Sequence, residues 1–438
     1  MKKISITILT IISFVACAPN SDSTSDELSI NYEKIELENG LNVIFHVDKS
    51  DPVVAVELMV HVGSAREIEG RTGFAHLFEH LLFLESENLG KGGLDKMSAR
   101  IGGSGANGST SRDRTNYLQT VPKDGLEKMI WAEADKLGYF INTVTDPVLA
   151  KEKQVVKNEK RQSYDNRPYG YNQYVIGKNL YPKDHPYNWQ VIGSLEDLQN
   201  ATLQDVKNFY KKWYVPNNAT LVLSGDLDIE QATKWVHRYF DEIPKGTEEI
   251  TALAKRPGFV KETKFIYYED NFARVPQLTM VWPTVESYHP DAYALDVLSQ
   301  YLTEGKSAPL NQVLIADLKL TSYASMYSRN SELAGEIQVS VRAFNEGHLM
   351  EIKAGIEKAF LKFENEGISV KDLNRIKAGQ ETSFYRSLSS VLGKGNNLAS
   401  YNTYLGNPGF ATEDIKRTLA VTPADVQRVY EKYIKNKN

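Results

Sequence analysis

The second half of this 438-residue chain repeats the order of apolar patterns in its first half, in diverged form. The repeated patterns are a strand at Gln277 to Trp282, a helix at Asp291 to Leu302, strands around Tyr323 and at Glu336 to Val341, and helices from Leu349 and Val370. A single hydrophobic core stops growing at about 250 to 300 residues, so a chain of this length should divide. The repeat therefore predicts an α+β chain of two homologous domains, each an antiparallel or mixed sheet packed with helices.

The first half supplies the clearer patterns. Alternating apolar and polar residues from Tyr32 to Asp48 surround Asn39-Gly40, a strong hairpin signal, and Val53 to Val62 is typical of a further strand. Apolar residues recur at helical spacing in Gly73 to Leu84 and in Gly125 to Phe140. We therefore expect a sheet at the start of the fold with helices packed on it.

One of these helical segments carries two histidines one turn apart. The run His76-Leu77-Phe78-Glu79-His80 is the inverse of the better known His-Glu-x-x-His arrangement. At 100° per residue, His76 and His80 lie about 40° apart on one helix face, with Glu79 beside them. Zinc in a catalytic site takes three protein ligands and keeps one position open for water. The motif therefore predicts a zinc site with a third ligand elsewhere in the chain.

A charged helix offers two candidates for the third ligand. Asp146 as N-cap and Pro147 at the first helical position predict its start, and it extends to about Gln162. Glu152 and Glu159 are seven residues apart (159 minus 152), nearly two turns, so both face the same way. Glu159 would complete the ligand shell, with Glu152 one layer out. A solvated, salt-bridged surface is the alternative interpretation of this Lys- and Glu-rich helix.

Three stretches of the chain resemble the pitrilysin/insulinase-type zinc peptidases. They are Gly73 to Leu84, Gly102-Gly103 through Ala106 to Ser111 and on to Asp113 to Tyr117, and Glu152 through Glu159. The resemblance spans most of Tyr32 to Asn438, and the short chain is similar to the processing-peptidase-like members. It implies one Zn²⁺ per chain, bound by His76, His80 and Glu159, with Glu152 supporting the site. It also implies that two such chains close as a clamshell around a peptide.

The resemblance also implies where the substrate binds. A strand at Ser109 to Thr120 would be a sheet edge on which the peptide adds as an extra strand, bound through its main chain. The implied substrate-binding residues are Asn107, Gly108, Ser109, Thr110 and Tyr323. An ordinary edge strand is the alternative interpretation of this segment.

One departure from the family pattern concerns the second half. Catalytically complete members carry an arginine seven residues before a tyrosine, and both contact substrate near the zinc. Tyr323 matches the tyrosine, but the position seven residues earlier (323 minus 7) is Ala316. We therefore expect a homologous partner chain that lacks the zinc motif, as in heterodimeric family members, to supply the missing arginine and tyrosine. A homodimer is the alternative assembly. The alternative is that Tyr323 is a packed strand residue.

These features together predict a zinc-dependent endopeptidase that hydrolyses peptides or oligopeptides in a closed chamber. Glu79 would be the general base that activates the water, not a metal ligand. A non-catalytic receptor or assembly subunit of the same fold is the main alternative. A metalloenzyme of different fold and chemistry is a weaker one.

The helix pattern at Asp291 to Leu302 contains no histidine, so only the first half is expected to be catalytic. The predicted limits are 1–17 for an export signal, 18–30 for a flexible tether, 31–245 for the catalytic domain, 246–262 for a linker and 263–438 for an inactive homologous domain. The linker is rich in Pro, Gly, Lys and Glu and shows little periodicity.

The first residues are typical of an export signal. A positive start, Met1-Lys2-Lys3, precedes an apolar stretch from Ile4 to Val15 that is too short to span a bilayer. Cys17, the only cysteine, follows a sequence that resembles a bacterial lipobox and is a candidate for acylation. Cleavage after Ala18 is the alternative. Both predict an exported bacterial protein of the periplasm; acylation would also anchor it by lipid, to the outer membrane.

Charge and cysteine content exclude other classes. The net charge of −5 and pI near 6.0 provide no basic surface for nucleic acid. A single cysteine cannot form an intrachain disulfide. The expected partners are therefore a peptide substrate and a homologous chain, with membrane contact only through a lipid anchor.

Overall fold

A computed structural model describes residues 29–104 and 106–438. The predicted export signal with Cys17, and all but the last two residues of the predicted tether, lie outside the described residues. None of the helices in these two ranges combines the length and the apolarity needed to cross a bilayer.

The first half forms a six-stranded mixed sheet. Its strands are β1 (Glu33–Glu36), β2 (Asn42–Val47), β3 (Val53–Val60), β4 (Asn107–Thr110), β5 (Thr115–Pro122) and β6 (Ala219–Gly225). Their order across the sheet is β1-β2-β6-β3-β5-β4, and only β2 and β6 run parallel. The predicted hairpin is confirmed, because β1 and β2 pair around Asn39-Gly40, where Gly40 has a φ of +87° that favours glycine.

Within the described part of the first half, eight α-helices accompany this sheet. They are α1 (Phe74–Leu84), α2 (Gly93–Ile101), α3 (Leu126–Tyr139), α4 (Asp146–Lys160), α5 (Asn172–Leu180), α6 (Leu195–Asn200), α7 (Leu203–Trp213) and α8 (Ile229–Phe240). The strands alternate between two apolar environments: Val43 and Phe45 face the main core, whereas Ile44 faces the opposite side. The sheet is therefore buried on both faces.

The second half forms a three-stranded antiparallel sheet and seven helices. Its elements are β7 (Gln277–Thr284), α9 (Pro290–Thr303), α10 (Pro309–Asn311), β8 (Ala324–Asn330), β9 (Gly335–Arg342), α11 (Leu349–Glu366), α12 (Val370–Ser387), α13 (Val391–Leu405), α14 (Ala411–Ala420) and α15 (Pro423–Tyr433). The order β7-β9-β8 repeats the order β3-β5-β4 of the first sheet, with α9 in the place of α1. The structure thus confirms the internal repeat.

Helix α13 belongs to the second half in sequence but packs on the first sheet. Its residues Leu398 and Tyr401 pack with Ile44, Met59 and Val222 on the outer face of the first sheet. Between α8 and β7, residues 241–276 contain no helix or strand, and the predicted linker 246–262 lies within them. The domain limits stay a prediction, but the chain crosses back after this segment to cover the first sheet.

Two local predictions are wrong. The N-cap of α4 is Thr145, which has an extended backbone, and Asp146 is already helical. The stretch Ser109 to Thr120 is not one strand but the hairpin β4–β5. Its turn forms because the Ser111 hydroxyl accepts hydrogen bonds from the backbone N–H groups of Asp113 and Arg114.

A buried ion pair joins the two halves of the chain. Arg112, in the β4–β5 turn, places Nη1 3.3 Å from Oε2 of Glu336 on β9, and Glu336 is fully buried. The Tyr181 hydroxyl donates a further hydrogen bond of 2.6 Å to the same carboxylate oxygen. The orientation of the β4–β5 hairpin relative to the second sheet therefore depends on this carboxylate.

Replacing Glu336 by alanine should lower the free energy of unfolding by about 3–5 kcal/mol, because it leaves the Arg112 guanidinium buried without a counter-charge. Urea denaturation followed by tryptophan fluorescence measures the shift. Glu230→Ala is the matched control, since Glu230 and Lys234 form an exposed pair and should contribute less than about 1 kcal/mol. Equal transition midpoints for the two variants would contradict the assignment.

Candidate metal centre

The orientation of α1 places the two histidines. Leu77, Phe78 and Leu81 are at most 1% exposed and pack in the main core. Residues on the other side of the helix, His76 and His80, are therefore turned out of the core towards α4. Their ring centroids are 4.8 Å apart, with the ring planes at 75°.

Helix α4 brings both predicted glutamates to these rings. Glu159 Oε2 lies 3.1 Å from His80 Nε2, and Glu159 Oε1 lies 3.6 Å from His76 Nε2. Glu152 Oε1 lies 3.0 Å from His80 Nδ1. His80 is thus held between two carboxylates, one at each ring nitrogen.

The three predicted ligands form a group that fits zinc. One ligand atom each from His76, His80 and Glu159 lies within 4.8 Å of the others. Zinc bonds of about 2.0–2.2 Å to nitrogen and oxygen place tetrahedral ligands about 3.3 Å apart. The Glu159 carboxylate approaches the two imidazoles at similar distances, 3.1 Å to His80 and 3.6 Å to His76, through a different oxygen for each. Two neutral imidazoles and one carboxylate are also a donor set that zinc accepts in catalytic sites. Glu152, which is 4% exposed, orients His80 from outside this group.

The charges of the group depend on one another. Burial would lower the pKa of His80, but hydrogen bonds to Glu152 and Glu159 and their charges raise it to about 9. The hydrogen bond to His80 holds the pKa of Glu159 below its usual value. Burial lowers the pKa of His76, against the opposing charge of Glu159. Without metal, a proton on His80 therefore offsets one of the two carboxylate charges.

Glu79 is bound by the sheet edge. The Thr110 hydroxyl on β4 donates a hydrogen bond of 2.5 Å to Glu79 Oε2. A Cβ atom on Gly108 would lie 2.9 Å from Phe83 Cε2 and 3.2 Å from Glu79 Cγ, so β4 approaches α1 closely only because residue 108 is glycine. The sequence did not predict that Thr110 contacts the predicted base; it predicted only a role in substrate binding.

The other residues that were predicted to bind substrate lie in two separate parts of the structure. Asn107 and Ser109 are exposed on β4, which is the last strand of the sheet on that side. Tyr323 is 58% exposed just before β8 and lines a different cavity, so it is not a packed strand residue. Ala316, where the arginine was expected, is exposed on a π-helical turn.

Sequence reasoning missed the residues that surround Tyr323. Tyr164 and Arg167 follow α4, and Arg342 ends β9, yet all three line the same cavity as Tyr323. The spacing of Tyr164 five residues after Glu159 was the only local signal. The position of Arg342 depends on the register of the second sheet, which no local pattern specifies.

Comparison with known families identifies both halves. A family model described as "Insulinase (Peptidase family M16)" matches residues 42–176. A second one, described as "Peptidase M16 inactive domain", matches residues 200–380. The histidine motif and both glutamates lie in the first match, and Tyr323 lies in the second.

Comparisons with individual proteins and with solved structures agree with the two family models. A Helicobacter pylori protein named zinc protease PqqE is 30% identical over 413 residues, which are 92% of this chain and 90% of that protein. The crystal structure of a protease from Helicobacter pylori superposes with a TM-score of 0.82 at 28% identity, covering 93% of this chain and 98% of that one. The structure of the periplasmic protease PqqL from Escherichia coli gives a TM-score of 0.71 at 18% identity; it covers 92% of this chain but 46% of PqqL.

Zinc binding at pH 7 should release about one proton, because a metal-bound imidazole must be unprotonated while the pKa of His80 in the metal-free protein is about 9. Zinc affinity should therefore rise with pH up to about 9. Isothermal titration calorimetry in two buffers of different ionisation enthalpy measures the released protons. Glu152→Gln removes one cause of the raised pKa and should release fewer; buffer-independent heats for the unsubstituted protein would contradict this account.

Proposed function

Since the chain belongs to the insulinase family of zinc peptidases, peptidase family M16, we propose that it is a zinc-dependent endopeptidase in which Glu79 activates the water. The observation that carries this proposal is the position of Glu79, one residue from the ligand His80 and hydrogen-bonded to the sheet edge through Thr110. A base next to a metal group and a free strand edge is the arrangement that peptide hydrolysis requires.

The roles of the side chains follow from their contacts. When bound, zinc supplies a Lewis acid that lowers the pKa of a water molecule and polarises the scissile carbonyl. Glu79 takes the proton of the attacking water and delivers it to the leaving amine nitrogen. Thr110 holds one oxygen of Glu79, so the other is available to the water. Glu152 accepts from Nδ1 of His80, which leaves Nε2 of that ring for the metal.

The peptide binds along β4 as an additional strand. Main-chain hydrogen bonds to this edge would align the scissile bond with Glu79 and tolerate many side chains. Gly108 permits this by keeping β4 close to α1.

A second chain of the same fold closes the chamber. This chain corresponds to 46% of PqqL, so a pair of such chains matches the size of that protease. Tyr323 is exposed and Ala316 replaces the expected arginine, so a homologous partner would supply the arginine. Full-rate cleavage by a purified homodimer would rule out a heterodimer.

Export and lipid attachment belong to the same proposal. The mature chain would start at an acylated Cys17 and be held at the outer membrane from the periplasmic side, in the same compartment as the periplasmic protease PqqL of Escherichia coli. Labelling with radioactive palmitate tests this attachment, and labelling that persists in Cys17→Ser would contradict it.

A non-catalytic receptor or assembly subunit is the second candidate, favoured by the missing arginine at Ala316. Turnover separates the two. A quenched fluorescent peptide library is incubated with the chain, alone and with any co-purifying homologue, with and without a chelator followed by zinc. Turnover that the chelator abolishes and zinc restores supports the peptidase, whereas a zinc-loaded chain without turnover in either setting supports the receptor.

Glu79→Gln should keep zinc and lose hydrolysis, because the amide cannot accept the water's proton. His80→Ala should lose both, because a ligand is gone. Metal analysis and peptide turnover measure the two effects on the same samples. An active Glu79→Gln enzyme would overturn the assigned base.

Gly108→Ala should lower kcat/KM by at least about tenfold, because the added Cβ pushes β4 away from Phe83 and Glu79 and misplaces the substrate. Gly379→Ala on α12 is the matched control, since a Cβ there meets nothing within 4 Å. Peptide kinetics with equal zinc content in both variants tests this. Equal kcat/KM values would show that the edge strand does not position the substrate.

A further inference from the structure

A cavity of about 420 Å³ lies between the end of α4 and the second sheet. On one side it is lined by the segment after α4, including Tyr164 and Arg167, and on the other by Tyr323, Tyr327 and Arg342. None of the three candidate metal ligands lines it. The candidate metal site therefore does not account for this cavity.

The floor of the cavity is the polar face of the second sheet. Along β9, Val339 and Val341 face the core, so Ser340 and Arg342 face the opposite side. The strand register places Gln277 opposite Arg342 and Ser325 opposite Ser340. A sheet face that is polar on three adjacent strands and borders a cavity is suited to a polar ligand.

Two arginines give the cavity its charge, and neither is neutralised. Within the described ranges, no carboxylate forms an ion pair with Arg167 or Arg342. Arg342 lies 4.4 Å above the Tyr169 ring, and its Nε donates to Gln277 at 3.3 Å. A third arginine, Arg329, donates to the amide oxygen of Gln173 at the cavity wall, again with a neutral partner.

Three carboxylates on or beside the segments that line this cavity are already engaged. Glu336, on the same sheet face, is bound by Arg112. Asp165 accepts from the Tyr171 hydroxyl and lies 3.5 Å from Lys160. Asp270 accepts backbone N–H groups, among them that of Tyr169. None of these three acids lines the cavity, so its positive charge is available to a ligand.

The cavity adjoins the metal centre. Tyr164, in its wall, follows Glu159 by five residues on the turn that ends α4. Burial raises the pKa of the Tyr164 phenol; the charge of Glu159 raises it further, and the charges of Arg329 and Arg167 act against this rise. Tyr164 thus lies between the negative metal group and the positive cavity.

We infer that this cavity is a subsite for a carboxylate of the peptide, bound by Arg167 and Arg342 next to the cleavage site. The carboxylate is either an Asp or Glu side chain or the free C-terminus, since both present the same planar anion to a guanidinium. This inference rests on the proposed peptidase function and adds a substrate preference that a backbone-led edge strand cannot provide.

Peptide binding to the Glu79→Gln chain tests the subsite without requiring hydrolysis. Four fluorescent peptides of one sequence carry either Glu or Gln at one position and either a free or an amidated C-terminus. We expect an anionic peptide to bind about tenfold more tightly than the neutral one, the scale of one charge-assisted hydrogen bond. The pair that shows the difference identifies the carboxylate as side chain or terminus.

In the same background, Arg167→Gln with Arg342→Gln should bring the ratio of the two dissociation constants close to one, and Arg342→Lys should retain part of it. Arg238→Gln, on exposed α8, is the matched control and should leave the ratio unchanged. Equal affinity for all four peptides, or a preference that survives the double substitution, would overturn the subsite. If the anionic peptide is preferred but the unsubstituted chain hydrolyses no peptide, the subsite stands and the proposed peptidase function is rejected.

Discussion

The rotation of α1 about its own axis is the constraint on which the site depends. Leu77, Phe78 and Leu81 bury one side of the helix in the main core. The residues on the opposite side of the helix must therefore face away from the core. His76, Glu79 and His80 share that direction, so the candidate ligands and the proposed base are positioned by apolar packing rather than by a metal. Any change that turns this helix would move all three together.

Two further elements converge on this face of α1 for independent reasons. Helix α4 is placed by its buried side, on which Leu149 and Val156 pack in the main core and Glu152 lies between them at helical spacing. Strand β4 is placed by pairing with β5 and by the lack of a side chain at Gly108. The metal group, the base and the sheet edge are therefore held by three separate sets of contacts, a rigid arrangement suited to a preorganised site.

The sequence predicted the elements because they depend on local periodicity. The spacing on one helix singled out His76 and His80, whereas Glu159 was assigned through the family resemblance, and the repeat followed from the order of strands. The contact of Thr110 with Glu79 and the cavity around Arg342 could not, because they depend on how β4 packs on α1 and on the register of β9. The turn that divides β4 from β5 was missed because Ser111 closes it through its side chain, without the glycine or proline that usually marks a hairpin.

The packing of α13 on the first sheet has a consequence for the order of folding. Leu398 meets Ile44 across 354 positions of the chain (398 minus 44), one of the most distant contacts in sequence within the apolar layers. During synthesis from the N-terminus, the sheet on which α1 packs keeps an uncovered hydrophobic face until α13 has emerged. The first half therefore completes its apolar layers only with residues of the second half, and truncation products that stop before α13 expose an apolar face through which they can associate.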